Sequence, residues 1–180
     1  MDDKKVNFAI RRSTMDDLPR MMEIYVYARK FMAENGNPRQ WGTTEWPPEE
    51  LLKKDIAEKH SYICDADGHA VGTFFYNYGP HIENTYENIC SGEWIGVKKL
   101  GENGNIYGVV HRLAGNGLVS GIGTYCLNWA YGQCRHLRID THFDNKVMQN
   151  LLTKLGFARC GIIYVAEDND PRIAYEKLCE

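Results

Sequence analysis

No stretch of this 180-residue chain approaches the roughly 20 apolar residues that a membrane-spanning helix needs. The opening Met1-Asp2-Asp3-Lys4-Lys5 is polar and has no apolar core of the secretory-signal kind, so a cytoplasmic location is expected. Short Cys-x-x-Cys spacing is missing. The six cysteines (Cys64, Cys90, Cys126, Cys134, Cys160 and Cys179) are scattered, which argues against a zinc or redox site and predicts free thiols in a reducing compartment. An excess of one charge is missing too: the formal net charge is −3, so bulk electrostatics favour neither nucleic acid nor an anionic membrane surface. Internal repeats and low-complexity tracts are absent. What is present is an ordinary globular composition, 43% hydrophobic and 25% charged, at a length that suits one domain over residues 1–180.

Val6 to Arg11 alternates as a first strand. Thr14, with Asp16 and Asp17 behind it, suits a helix start. Leu18, Met21, Met22, Tyr25 and Met32 recur at helical spacing, and Asn35-Gly36 and Pro38 should end that helix. A loop carrying Gln40, Trp41 and Trp46 follows, then a second helix from Pro47-Pro48-Glu49-Glu50 to about Lys59. Ser61–Asp65 and Ala70–Tyr78 read as strands joined by an Asp67-Gly68 hairpin turn. Residues 79–105 look irregular, with a short strand expected near Glu93-Trp94-Ile95. Ile106–Ala114 is a strand, Ser120–Cys134 a helix and His136–His142 a strand. Asp144 or Asn145 caps a helix that Gly156 ends, and strands over Ala158–Ala166 and Arg172–Leu178 close the chain. This order defines a mixed α/β domain whose run from Ile106 to His142 is a parallel crossover unit, and ligands tend to sit beyond the carboxyl ends of such strands.

The turn Ser120-Gly121-Ile122-Gly123-Thr124 follows a strand and opens a helix. Glycines there let the backbone approach a phosphate, and free N–H groups with the helix dipole stabilise its charge. A Walker loop would need a lysine that Gly117 to Thr124 lacks. A Rossmann fingerprint would need a third glycine where Thr124, Tyr125 and Cys126 stand. Arg112-Leu113-Ala114-Gly115-Asn116-Gly117 also satisfies Arg-x-x-Gly-x-Gly, but Arg112 lies inside a strand and no helix begins at Gly117.

The combination resembles the GNAT superfamily of acyl-CoA N-acetyltransferases over nearly the whole chain. In that family a strand leads into Gln/Arg-x-x-Gly-x-Gly/Ala at a helix start, here Gly121-Ile122-Gly123 after Val110–Ala114. A second motif, Asn-x-x-Ala-x-x-x-Tyr-x-x-x-Gly-Phe, falls on Asn145, Met148, Leu152, Gly156 and Phe157. The opening Ile10–Pro19 also looks like the family's first strand and helix start. The resemblance implies a GNAT-like fold, a mostly antiparallel sheet with one splayed parallel strand pair and flanking helices. It implies acetyl-CoA as cosubstrate, no metal, and attack by an amine of a small molecule, amino acid or peptide. A homodimer is compatible with it. Two departures stand out. Leu118 occupies the basic position of the first motif, so the backbone amides of Leu118, Val119, Ser120, Gly121, Ile122, Gly123 and Thr124 alone would hold the pyrophosphate, while a backbone N–H on the edge Leu113, Ala114, Gly115 would polarise the thioester carbonyl. Leu152 occupies the position of the tyrosine that commonly protonates the departing thiolate. Both departures keep open a second reading, a non-catalytic acyl-CoA-binding module.

By the same resemblance, a bulge near Gly115 would splay the strand so that pantetheine can enter, although Gly115 serves equally as a simple strand end. Asn145 would bond pantetheine, and it also suits helix capping. Glu93, His111 and His142 are candidate general bases, with His111 and Leu113 expected on one strand face and Arg112 and Ala114 on the other. Tyr164 and His142 are candidate proton donors to the thiolate. Gln40 and Trp41 would line the acceptor pocket.

Overall fold

The computed structural model describes residues 6–41, 45–165 and 169–179. The N-terminal pentapeptide, the middle of the aromatic loop (42–44) and the expected strand end at Ala166 lie outside the described residues. Among the described residues seven strands form one sheet: β1 (Phe8–Arg12), β2 (Ser61–Ala66), β3 (His69–Pro80), β4 (Ile106–Gly115), β5 (His136–His142), β6 (Ala158–Tyr164) and β7 (Pro171–Leu178). Their spatial order is β1-β2-β3-β4-β5-β7-β6. Every neighbouring pair is antiparallel except β4–β5. The expected mixed sheet with one parallel pair is thus what the chain builds.

Among the described residues five α-helices flank it: α1 (Leu18–Glu34), α2 (Glu49–Ala57), α3 (Ile95–Leu100), α4 (Ile122–Cys134) and α5 (Lys146–Lys154). Among the described residues no helix is long and apolar enough to cross a membrane. Strand alternation divides the core between the two sheet faces. Cys64, Val110, Leu137 and Ile139 join Ile122, Cys126 and Leu127 of α4 and Leu152 of α5 in one cluster. Ile63 and Ala114 turn to the opposite face, against Met21, Ile24 and Tyr25 of α1 and Leu52 of α2. Farther along, Tyr107, Val109, Ile163 and Ala174 pack on Tyr86 and Trp94 from the 79–105 segment.

Local signals account for most boundaries. The chain enters α1 through a short 3-10 turn, Met15–Asp17, and Thr14 N–H donates to the Asp17 carboxylate at 2.8 Å. Asn35 caps the end of α1, and Gly36 follows with φ of 81°. Asp67 and Gly68 take φ of 48° and 83°, the two positive values that a tight hairpin turn demands. The expected strand at Glu93–Ile95 does not form. Trp94 instead precedes α3, buried against the Tyr86 ring at 5.2 Å, with its indole N–H donating to Tyr86 O at 2.8 Å. A single bridge, Cys90 to Ile162, is the strand-like pairing in that region.

A buried ion network anchors the 79–105 segment beneath the sheet. Glu176 of β7 accepts from His136 Nε2 at 2.6 Å, Arg138 Nε at 2.9 Å and Gly96 N–H at 2.9 Å. The Arg138 guanidinium lies over Trp94 and Tyr107, 4.3 and 4.1 Å from their ring centres. Burial alone would raise the Glu176 pKa, but the histidine and arginine bonds hold it below the ordinary value. Single removal of a partner would leave a charge buried and unpaired, which is far costlier than losing a surface pair.

Candidate functional site

β4 and β5 pair at only two positions, Gly108 with Leu137 and Val109 with Arg138. Beyond them β4 runs on to Gly115 and β5 to His142 without further pairing. The sheet therefore opens between these two strands toward their carboxyl ends, at the point where a parallel crossover places a ligand crevice.

A bulge in β4 shapes the opening. In the β3–β4 register Thr73 faces Ala114 while Phe75 faces His111, so three steps on β4 oppose two on β3. The extra residue lies at Arg112–Leu113, and Arg112 takes φ of 54°. Tyr25 of α1 fixes it, its hydroxyl donating to Arg112 O at 3.0 Å, and the Arg112 guanidinium meets the Asp55 carboxylate at 2.5 Å. The break is thus at Arg112, not Gly115, which remains a paired strand residue opposite Gly72. It also changes the expected faces. His111 and Arg112 both lie over the Phe75 ring, at 5.7 and 4.8 Å, whereas Leu113 turns to the α4 face. A bulge places two successive side chains on one side, so simple alternation fails there.

The glycine turn opens α4 two residues later than expected, with Gly121 as its cap at φ of 89°. The first-turn amides of Ile122, Gly123 and Thr124 have no acceptor within an α-helix. The amide of Leu118 is already taken, since it donates to Asn116 Oδ1 at 3.0 Å, and the Asn116 amide donates to Val71 O. Leu118 therefore contributes neither charge nor a free amide, and its side chain is 79% exposed. The turn borders a cleft of about 280 Å³ that Leu113, Ala114 and Gly115 of β4, Asn145, Met148 and Leu151 of the α5 region, and Ala28, Phe31 and Trp41 also line.

Asn145 caps α5: its Oδ1 accepts from Met148 N–H at 3.0 Å. Its Nδ2 donates to Gln40 Oε1 at 2.9 Å, which brings the Gln40-Trp41 loop to the same cleft. Trp41 meets Tyr25 edge-on at 5.8 Å. Leu152 faces away from the cleft and is fully buried in the core beneath α5.

Of the candidate bases, His111 stands on the unpaired part of β4 in a polar cluster. Its Nε2 is 2.8 Å from Glu83 Oε2, and its Nδ1 is 3.9 Å from Asp140 Oδ1 on the facing β5. Glu83 also accepts from the Thr85 hydroxyl at 2.8 Å, and Asp140 from the Tyr86 hydroxyl at 2.8 Å. Burial works to raise the Glu83 pKa, but the bonds from His111 and Thr85 outweigh it and hold the carboxyl at about 2. Neither Glu83 nor Asp140 stands out in the sequence, since each gains meaning only from its partner across the sheet. His142 is buried with both ring nitrogens engaged: Nε2 with Asp170 at 3.0 Å, while Nδ1 accepts from Asp144 N–H at 3.0 Å. Glu93 is exposed and paired with Lys98 at 2.6 Å. Tyr164 is exposed on β6, two strands from β5 and so about 10 Å from it by ordinary strand spacing. The structure thus gathers the Leu113–Gly115 edge, the glycine turn, Asn145 and Trp41 around one cleft, ties Gln40 to it through Asn145, and places His111 on the unpaired part of β4, while His142, Glu93 and Tyr164 do not line the cleft. Among the described residues no cluster of His, Cys, Asp or Glu is gathered for a metal.

A single parallel strand pair that opens beyond two rungs, a bulged β4 and a glycine turn at the following helix together define the GNAT fold, and the chain has that fold. A GNAT-family acetyltransferase from Streptococcus agalactiae is similar at 24% identity, with 96% of each chain covered and a TM-score of 0.83. The ribosomal-protein-S18-alanine N-acetyltransferase of Escherichia coli is similar at 11% identity over 95% of this chain and 93% of its own, with a TM-score of 0.59. The loading GNATL domain of CurA from Lyngbya majuscula matches at 10% identity over 95% and 97%, with a TM-score of 0.64. No protein-family model matches the chain, and no curated protein does.

Proposed function

We propose that this chain transfers an acetyl group from acetyl-CoA to a primary amine. The observation that carries this reading is the opening of β4 from β5 beyond Val109: the Leu113–Gly115 edge and the glycine turn line a cleft there, and His111, bonded to Glu83, stands on β4 two residues past the last shared rung. Val119 to Thr124 would receive the pyrophosphate through backbone amides, and the opened strand pair would take the pantetheine arm.

With Glu83 ionised, His111 Nε2–H donates to it, and Nδ1 keeps its lone pair on the side of Asp140. His111 then accepts the proton of the acceptor ammonium, directly or through one water. The neutral amine attacks the thioester carbon. Charge develops on the carbonyl oxygen, and a backbone N–H of the Leu113–Gly115 edge stabilises it. Collapse forms the amide and expels the CoA thiolate, and the proton that the attacking nitrogen sheds passes to that thiolate, directly or through water, to give the free thiol. Leu152 cannot assist that departure, being in the core. An alkyl thiol has a pKa of about 8.5, so the thiolate leaves without an acid.

Release of free CoA, followed with a thiol reagent across a panel of small amines and peptide N-termini, tests this. Turnover that His111→Phe abolishes is the expected result. Tight acetyl-CoA binding with no turnover on any amine would replace the reading with a non-catalytic acyl-CoA-binding module.

A further inference from the structure

The phosphate end of the cleft lacks the basic side chain that Leu118 displaces, yet it is not built from backbone alone. Tyr27, on the third turn of α1, reaches over to the β4–α4 loop. A Cβ placed on Gly117 would lie 1.9 Å from the Tyr27 hydroxyl oxygen and 2.2 Å from Cζ. The end of the phenol therefore rests on the backbone of Gly117, which takes φ of 73°, and only a glycine leaves room for it there. Phe31, one helical turn on, stacks against Tyr27 with ring centres 6.4 Å apart and planes at 19°, which holds the phenol in place. Tyr27, Gly117, Val119, Gly121 and Ile122 all border the same cleft. Tyr27 Cα lies on a helix whose inner face is fixed by Met21, Ile24, Tyr25 and Ala28, so the hydroxyl is presented from a rigid element.

Resting on the acetyl-CoA reading above, we propose that the Tyr27 hydroxyl donates a hydrogen bond to the cofactor's pyrophosphate. It supplies from α1 the side-chain contact that Leu118 cannot. Gly117, on this view, serves the site by admitting the phenol. The proton of Tyr27 stays on its oxygen throughout, and no bond is made or broken.

The test compares two donors, acetyl-CoA and S-acetylpantetheine, which share the thioester and pantetheine arm but differ in the pyrophosphate and nucleotide. Dissociation constants are measured by calorimetry for the wild type and Tyr27→Phe. The variant keeps the ring on Gly117 and Phe31, and an unchanged melting temperature verifies the fold. A neutral donor to a charged acceptor is worth about 1.5 kcal/mol, or tenfold, so Tyr27→Phe should weaken acetyl-CoA roughly tenfold. Binding of S-acetylpantetheine should change less than twofold. Unchanged acetyl-CoA affinity, or equal losses for both donors, would overturn the assignment. Failure of the wild-type protein to bind acetyl-CoA would instead overturn the underlying reading, and the tyrosine's role with it.

Discussion

Gln40 Oε1 accepts two hydrogen bonds, from Asn145 Nδ2 at 2.9 Å and from Asn37 Nδ2 at 2.8 Å. One side chain thereby ties the aromatic loop after α1 to the cap of α5. A salt bridge from Arg39 to Asp144 at 3.0 Å runs parallel to it, but both partners are partly solvated and the pair is worth less. Gln40→Ala should cost about 1–2 kcal/mol of stability, because two amide groups lose their acceptor. It should also raise the acceptor KM several-fold with kcat held within twofold. An unchanged KM would show that the loop does not border the acceptor.

His111 and Glu83 form the second testable pair. His111→Phe should lower kcat/KM by about 10²- to 10⁴-fold, the usual span for a lost general base, with little change in acetyl-CoA affinity. Glu83→Gln keeps the shape but not the charge, so a smaller loss is expected. Activity of His111→Phe at the wild-type level would move the base elsewhere.

Glu83 also makes a pH prediction. Its pKa of about 2 in the folded chain lies below the 4.5 of the unfolded carboxyl. A lowered carboxylate contributes stability that is fully present above the unfolded value and is lost as pH falls toward the folded one. The wild type should therefore be more stable than Glu83→Gln at pH 6, by on the order of 2 kcal/mol. That difference should shrink between about pH 4.5 and 2, which thermal melts of the two proteins would show. A constant difference across this window would contradict the pairing.

Two substitutions separate cofactor binding from core packing. Gly121 caps α4 at φ of 89°, where a β-branched residue is strongly disfavoured. Gly121→Val should abolish measurable CoA binding by reshaping the turn. Leu152 is fully buried in the core, so Leu152→Tyr should lower stability by about 1–3 kcal/mol through overpacking and give no gain in rate. A faster Leu152→Tyr enzyme, without loss of stability, would mean that position 152 faces the thioester after all.

Most of the fold was legible because its signals are local. Gly36, Asp67-Gly68, Gly121 and Asn145 each mark a boundary by the backbone conformation or cap they favour, and hydrophobic period separates α1 from β3. The bulge was not legible. Arg112 is an ordinary strand residue by type, and its left-handed conformation is imposed by Tyr25 and Asp55, 87 and 57 residues away in sequence. The site divided in the same way. The glycine turn and His111 could be named from the chain, the first by motif and the second by its residue type. Glu83, Asp140 and Tyr27 could not, because each acquires its role across an interval of chain that only folding closes. Trp94 shows the reverse error, a strand-like local pattern overridden by the Tyr86 and Arg138 contacts that bury it.

The two-rung junction between β4 and β5 has a mechanical meaning. Past Val109 and Arg138, each strand presents an edge of amides and carbonyls that the sheet itself does not satisfy. The pantetheine arm of the proposed cosubstrate carries two amides joined by a β-alanine unit, and lodged there it would act as a strand that the sequence does not encode. With the proposed cosubstrate bound, the protein would be a sheet in two halves, joined at one end by its own backbone and bridged at the other by pantetheine. Its melting temperature should rise with acetyl-CoA concentration as binding draws the equilibrium toward the folded state.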